Sequence, residues 1–291
     1  RRKSAKLRLM MEDAGLSVWL PRGLAVWLGM LSFIVVLGAL FYGHPPLRRS
    51  LVTLFELQRA LFRYVRRWLA GDRVAAGPSE LRQAFERLGP TYLKFGQLIA
   101  SSSGLFPDRY VREFQHCLDR VPPEPWPVVE QTLESSLAGR PRDLFIRIEA
   151  TPIASASIAQ VYGAVGVDDS GAACDLVIKV QRRGLRDLVR ADIGMLSFGA
   201  DVLQGLPRVQ NANPRGVIQQ FERNIYEELD FLGEAARMDE FNAIMRALGR
   251  TDVCAPRPVH RLTTREVLVM ERLRGVRVDD VEAIRRRGIT S

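Results

Sequence analysis

The sequence predicts an α+β fold: a small antiparallel sheet set among long helices, with an N-terminal helical extension and a membrane helix ahead of it. Three observations carry this. Short β-branched runs between residues 146 and 180 are separated by turn chemistry. Stretches on both sides of them place apolar residues at helical spacing. Residues 23–43 form one apolar run without a charge.

Taken in chain order, charge comes first. Residues 1–67 hold twelve basic and three acidic side chains, which accounts for the whole net charge of +9, and the remainder balances at thirty of each sign. Residues 1–22 read as a basic segment. Gly23 to Gly43 has 21 residues, which at 1.5 Å each is about 30 Å, enough to cross a bilayer. Trp19, Trp27 and Tyr42 lie toward its ends, where interfacial aromatics are favoured. A buried core helix and a signal peptide are the competing readings, the latter disfavoured by the length of the run. Residues 44–78 read as a basic amphipathic helix and a linker, Gly71 to Pro78. Leu51, Leu54, Phe55, Leu61, Phe62 and Val65 alternate with Arg48, Arg49, Arg59, Arg63, Arg66 and Arg67, a pattern suited to anionic lipid. A connector helix packed on the domain competes with that. Nucleic acid, the other customary partner of such charge, is disfavoured by the membrane-flanking position. Cys117, Cys174 and Cys254 are scattered without metal spacing, so no metal site is expected.

The chain has thirty-eight arginines and four lysines, and after Lys6 only Lys94 and Lys179 remain. A compact ammonium and a planar guanidinium are not interchangeable where a phosphate or a buried carboxylate is met end-on. Lys179 lies in Leu176-Val177-Ile178-Lys179-Val180, read as a buried strand in need of an anion. Ile146 to Glu149 and Gln160 to Val165 read as two earlier strands, and Asp168 to Gly171 as the turn before the third. Strand, loop, strand, turn and lysine-bearing strand is the order in which a protein kinase builds its nucleotide site. The loop position, Pro152 to Gln160, is rich in alanine and serine and has no glycine. Without glycine the backbone is more restricted, so this loop is expected to cover nucleotide in another pose.

In these features the chain resembles the UbiB/AarF-type atypical kinase family, whose members have an alanine-rich loop in place of the glycine-rich one. The resemblance covers roughly Leu88 to Val278. It includes Lys94-Phe95-Gly96-Gln97, which matches the K-x-G-Q signature, with a Leu88-Gly89-Pro90 lead-in. Pro90 suits the first turn of a helix, with Leu88, Tyr92, Phe95 and Ile99 near one face and Lys94, Gln97 and Ser101 near another. Residues 79–140 are thus expected to form a helical extension, and residues 141–291 a kinase-like N-terminal lobe. Leu185 to Leu206 reads as a helix. Pro214 to Leu248 reads as one long amphipathic helix carrying Glu228-Leu229-Asp230, similar to the family's E-x-D motif, and Glu234.

The resemblance implies that Glu234 pairs with Lys179, and that Glu228 and Asp230 engage Lys94. It implies ATP bound between Lys179 and the segment Ala154, Ser155, Ala156, Ser157. Thr263 to Gly275 reads as a strand ending in a hinge, with Glu271, Arg272 and Leu273 as expected adenine contacts and Met270 behind them. Catalysis by a kinase needs a catalytic-loop aspartate, an asparagine and a second aspartate for Mg²⁺. None is recognisable, so these 291 residues alone are expected not to transfer phosphate, and the Mg²⁺ ligands are expected beyond Ser291. By resemblance the longer protein is an ATPase or small-molecule kinase, its kinase-like part facing the cytoplasm, working with membrane or prenyl lipid and quinone-biosynthesis enzymes. A nucleotide-sensing scaffold for membrane enzymes is the alternative.

Overall fold

The computed structural model describes residues 45–72, 76–117, 121–207, 209–276 and 280–288. In chain order the helices are α1 (Pro45–Leu69), α2 (Ala76–Leu88), α3 (Pro90–Ser101), α4 (Asp108–Phe114), α5 (Trp126–Ser136) and α6 (Pro141–Leu144). Strands β1 (Arg147–Ser155), β2 (Ala159–Val167) and β3 (Ala173–Gln181) follow. Then come α7 (Leu185–Gln204), α8 (Pro214–Glu228), α9 (Phe231–Ala247), β4 (Val267–Glu271) and α10 (Val281–Arg286). The expected membrane span, residues 23–43, lies outside the described residues. Among those described, no helix is long and apolar enough to cross a membrane.

The chain divides into two compact units, Arg1–Asp119 with Gly184–Ile225, and Arg120–Arg183 with Tyr226–Ser291. Among the described residues the first unit is built of helices. Gly89 adopts a φ of 91°, a conformation that strains an L side chain, and Pro90 then opens α3 with a φ already suited to a helix. Phe85 stacks edge-on with Tyr92 and with Phe114, at 5.3 and 5.2 Å between ring centroids. The expected linker is shorter than the sequence suggested, because α2 begins at Ala76 and takes Pro78 into its first turn. Helix α1 turns three arginines inward. Arg49 meets the fully buried Asp192 at 2.7 Å, and Arg63 and Arg67 converge on the buried Glu80 at 2.8 and 3.0 Å.

The second unit is built on a four-stranded antiparallel sheet in the order β1-β2-β3-β4. Tyr162, Leu176, Ile178, Val180, Val267 and Val269 bury one face of it with Val129 and Leu133 of α5. Pro152, which cannot donate a ladder hydrogen bond, stands on the edge strand β1 between two register shifts. The β2–β3 turn closes on Asp168, whose carboxylate accepts from the Ser170 and Ala172 amides at 2.9 and 3.0 Å; the Ser170 hydroxyl and these amides hold its pKa low.

Two segments depart from the sequence expectation. The alanine-rich segment is mostly strand: Pro152 to Ser155 belong to β1 and Ala159 opens β2, leaving a turn of only Ala156 to Ile158. The turn closes because the Ala156 amide donates to the Ala159 carbonyl at 2.9 Å. Pro214 to Leu248 is two helices rather than one, since Asp230 takes non-helical angles (φ −107°, ψ 88°) and caps the start of α9. Leu229 and Phe231 are buried on either side of that break, and the Gln181 side-chain amide donates to the Leu229 carbonyl at 2.8 Å. A carbonyl freed from helical bonding is thereby satisfied in the interior.

Candidate functional site

Lys179 sits on β3 between Val161 of β2 and Leu268 of β4. Its ammonium lies 2.8 Å from both carboxylate oxygens of Glu234 and 4.6 Å from the centre of the Phe231 ring. The break before α9 creates this arrangement. It makes Phe231 the first residue of the helix, fully buried as a platform for the cation. It also puts Glu234 in the first turn, where unpaired backbone N–H groups favour a carboxylate. The two side chains keep about a quarter of their surface exposed, 23% for Lys179 and 26% for Glu234. An ammonium has three donors. Two are directed at Glu234, so one remains for a further anion.

The turn between β1 and β2 is fastened from below. Arg182, the residue after β3, donates to the Ala156 carbonyl at 3.1 Å, to Ser155 Oγ at 3.0 Å and to the Pro122 carbonyl at 3.0 Å. Burial pushes the Arg182 guanidinium pKa down, with Glu124 and Tyr162 working against it. Ser155 Oγ donates to the Val121 carbonyl at 2.7 Å, and Ser157 is fully buried. Ala154 is exposed and Ala156 half-buried. Gln160, also buried, accepts from the Glu124 amide at 2.9 Å and from the Tyr162 hydroxyl at 3.1 Å. Burial, reinforced by Glu124, raises the Tyr162 pKa.

At the other end of the sheet, the Glu271 amide donates to the Arg257 carbonyl at 2.8 Å and the Arg272 amide to the Asp175 carbonyl at 3.0 Å. Arg257 also binds the Glu271 carboxylate at 2.9 Å and holds its pKa low. Leu273 is about half exposed and Met270 is partly buried in β4.

Lys94, Gly96 and Gln97 lie on α3 in the first unit. Gly96 is buried, and a Cβ there would come within 2.8 Å of the Phe114 ring and 3.1 Å of Cys117 Sγ. Its small size is needed by helix packing inside the unit. Glu228 ends α8, and Asp230 caps α9. Sequence reasoning missed Gln181 and Arg182. Gln181 carried a weak signal, a polar residue closing an apolar strand; Arg182, one of many arginines, carried none.

A lysine on the third strand of an antiparallel sheet, paired with a glutamate in the first turn of a following helix, defines a kinase-like lobe. Residues 116–291 match the ABC1 atypical kinase-like domain, and the chain belongs to that family. It is 39% identical over 211 residues to an uncharacterized aarF domain-containing protein kinase, chloroplastic, of Arabidopsis thaliana, covering 72% of this chain and 38% of that protein. It is 32% identical over 221 residues to a protein named probable protein kinase UbiB of Pseudomonas aeruginosa, covering 75% of this chain and 40% of that one. A solved complex of a Mycobacterium tuberculosis protein, Rv3197, with erythromycin aligns at 27% identity and a TM-score of 0.44, over 65% of this chain and 46% of that one. The chain spans about two-fifths of the length of the curated relatives it matches.

Proposed function

We propose that the longer protein is a membrane-associated ATPase or small-molecule kinase and that this chain supplies its nucleotide-binding lobe. The observation that carries the reading is the two-oxygen contact of Glu234 with Lys179, which holds the ammonium in place with one donor to spare for a phosphate oxygen. Lys179 meets the α/β-phosphates and Glu234 orients it. With the Ser155 and Ser157 hydroxyls engaged or buried, the surface offered over the phosphates comes from Ala154 and Ala156. The Glu271 and Arg272 amides are already bonded within the protein, so the adenine lies toward Leu273. Bound ATP supplies the transferable phosphoryl group. Among the described residues no cluster of His, Cys, Asp and Glu could hold a metal ion.

The likeness to atypical kinases favours a small substrate over a protein one. The UbiB name of one relative supports a role in isoprenoid-quinone or related lipid biosynthesis, with residues 23–43 anchoring the lobe on the cytoplasmic face. The test is the melting temperature of the purified full-length protein with and without ATP. ATP should raise it in the wild type and leave Lys179→Met unmoved, while Lys179→Glu with Glu234→Lys should recover part of the shift lost in either single variant. A wild type indifferent to ATP, or a Lys179→Met protein that responds fully, would overturn the proposal.

A further inference from the structure

The first unit holds a cavity of about 660 Å³, open at one side, that the kinase-like site does not use. Its volume lies inside the range of about 300–1,000 Å³ found for small-molecule sites. Helices α1 to α3, α7 and α8 line it together with the 105–110 and 209–212 segments, and among the described residues none that lines it is charged. The polar side chains in that wall are the hydroxyls of Thr53, Tyr92 and Tyr110. Thr53 and Tyr92 are buried, and burial pushes the Tyr92 phenol up to about 12, with the Thr53 hydroxyl pulling it back. This hydroxyl pair is therefore a neutral one.

The apolar wall does not stop at the mouth. Leu105 and Leu203 both line the cavity and are 43% and 44% exposed. On α7 Phe198 and Val202, and just past its end Leu206, continue outward from Leu203, all exposed. On α1, Leu57 faces the cavity, while Leu54 and Leu61, three and four residues away and so adjacent on the helix, are exposed. Phe55 and Phe62 extend that outer face, and Arg48, Arg59 and Arg66 are exposed beside it. An apolar stripe bordered by arginines fits an anionic lipid surface. Here it runs from the outside of the unit into an uncharged interior.

We infer that this cavity is a binding site for one long aliphatic or isoprenoid chain bearing an uncharged hydroxyl-type head, taken up from the lipid phase, with the head at Thr53 and Tyr92. Neutral hydroxyls can exchange hydrogen bonds with an alcohol or phenol, whereas a carboxylate or phosphate buried there would meet no charged residue in the lining, and the nearby Arg49 guanidinium is already paired with Asp192. The site lies wholly within the first unit, and the assignment does not rest on nucleotide binding.

Tritiated 1-hexadecanol titrated into the full-length protein tests it. The wild type should bind saturably with one site, and at least tenfold more tightly than it binds palmitate at pH 8. A Cβ added to Gly199, which lines the cavity, meets nothing within 4 Å. Gly199→Leu should therefore fill the space, keep the melting temperature and weaken hexadecanol binding at least tenfold. Leu203→Arg, at the exposed mouth, should weaken it independently if the filled variant folds poorly. The ATP-induced melting shift should survive both substitutions. No saturable hexadecanol binding by the wild type, binding by both variants as tight as by the wild type, or palmitate bound as tightly as hexadecanol would each overturn the assignment.

Discussion

The Lys179 ammonium is 2.8 Å from both carboxylate oxygens of Glu234, and it lies over the ring of Phe231, the residue at which the glutamate's helix starts. Cation, platform and carboxylate thus depend on one backbone event, the break at Asp230. Had α8 run on without interruption, Phe231 and Glu234 would not have had the positions of a helix's first turn.

The pair is partly exposed, and partial exposure limits its worth to about 1 kcal/mol. A double-mutant cycle on Lys179→Met and Glu234→Gln, followed by urea unfolding, should return a coupling of about that size. A coupling indistinguishable from zero would show that the contact adds nothing to stability.

Gln181 satisfies two carbonyls at once, those of Leu229 and Arg265, each at 2.8 Å. Gln181→Leu should cost about 2–4 kcal/mol, because a buried acceptor left alone loses about 1–3 kcal/mol. It should also weaken ATP binding without touching Lys179, since the break that positions Glu234 is no longer tied to β3. Unchanged stability in urea would refute the first expectation, and unchanged affinity the second.

Gly96→Ala sets two effects against each other. Alanine is favoured over glycine in a helix by about 1 kcal/mol, but its methyl group would press on the buried Phe114 ring at 2.8 Å. Overpacking costs about 1–3 kcal/mol, so the variant should be the less stable by thermal melting. Adding Phe114→Leu should restore much of the loss; a stabilised Gly96→Ala protein would contradict the packing account.

Arg49 reaches the fully buried Asp192 and also donates to the Leu88 carbonyl. Arg49→Met should destabilise the first unit by about 3–5 kcal/mol, because the carboxylate is left buried and unpaired. Arg49→Met with Asp192→Leu should be far closer to the wild type. Chemical denaturation of the three variants decides, and equal losses in the single and double variants would count against the buried pair.

Tyr92 gives a pH signature. Its folded pKa of about 12 lies above the ordinary value of 10.0. Between those values the folded state holds a proton that the unfolded state releases, so stability falls as pH rises from 10 toward 12. Below the ordinary value both states are protonated and the residue adds no slope. The upper limit of the loss is about 2–3 kcal/mol. Tyr92→Phe should flatten the difference between urea midpoints measured at about pH 9.5 and about pH 11.5, on either side of the unfolded-state titration. An unchanged slope would argue against burial of the phenol.

Much of the kinase-like lobe is legible along the chain, because its signals are local. Leu176 to Val180 reads as a strand from β-branched residues alone, Asp168 to Gly171 as a turn from Asx chemistry, and Pro90 as a helix start from its fixed φ. Lys179 and Glu234 could be singled out because lysine is scarce here and a family motif surrounds them. The break at Asp230 was not legible. Apolar residues at helical spacing run on from Ile225 through Leu229 to Leu232, with no proline or glycine between them to interrupt the pattern. The break depends on Gln181, 48 residues upstream, satisfying the Leu229 carbonyl.

The same holds for the turn at Ala156, tied down by Arg182, and for the inward arginines of α1, whose carboxylate partners lie on α2 and α7. By itself the sequence determined that Leu176 to Val180 is strand, that Pro90 opens a helix and that Lys179 and Glu234 stand out from their surroundings, since propensity, periodicity and motif act over a few residues. Tertiary structure decided where the long helix breaks, which arginines are spent on buried carboxylates and where an uncharged cavity is left. Those outcomes depend on satisfying buried polar groups and filling volume between segments far apart in the chain, and no local pattern encodes them.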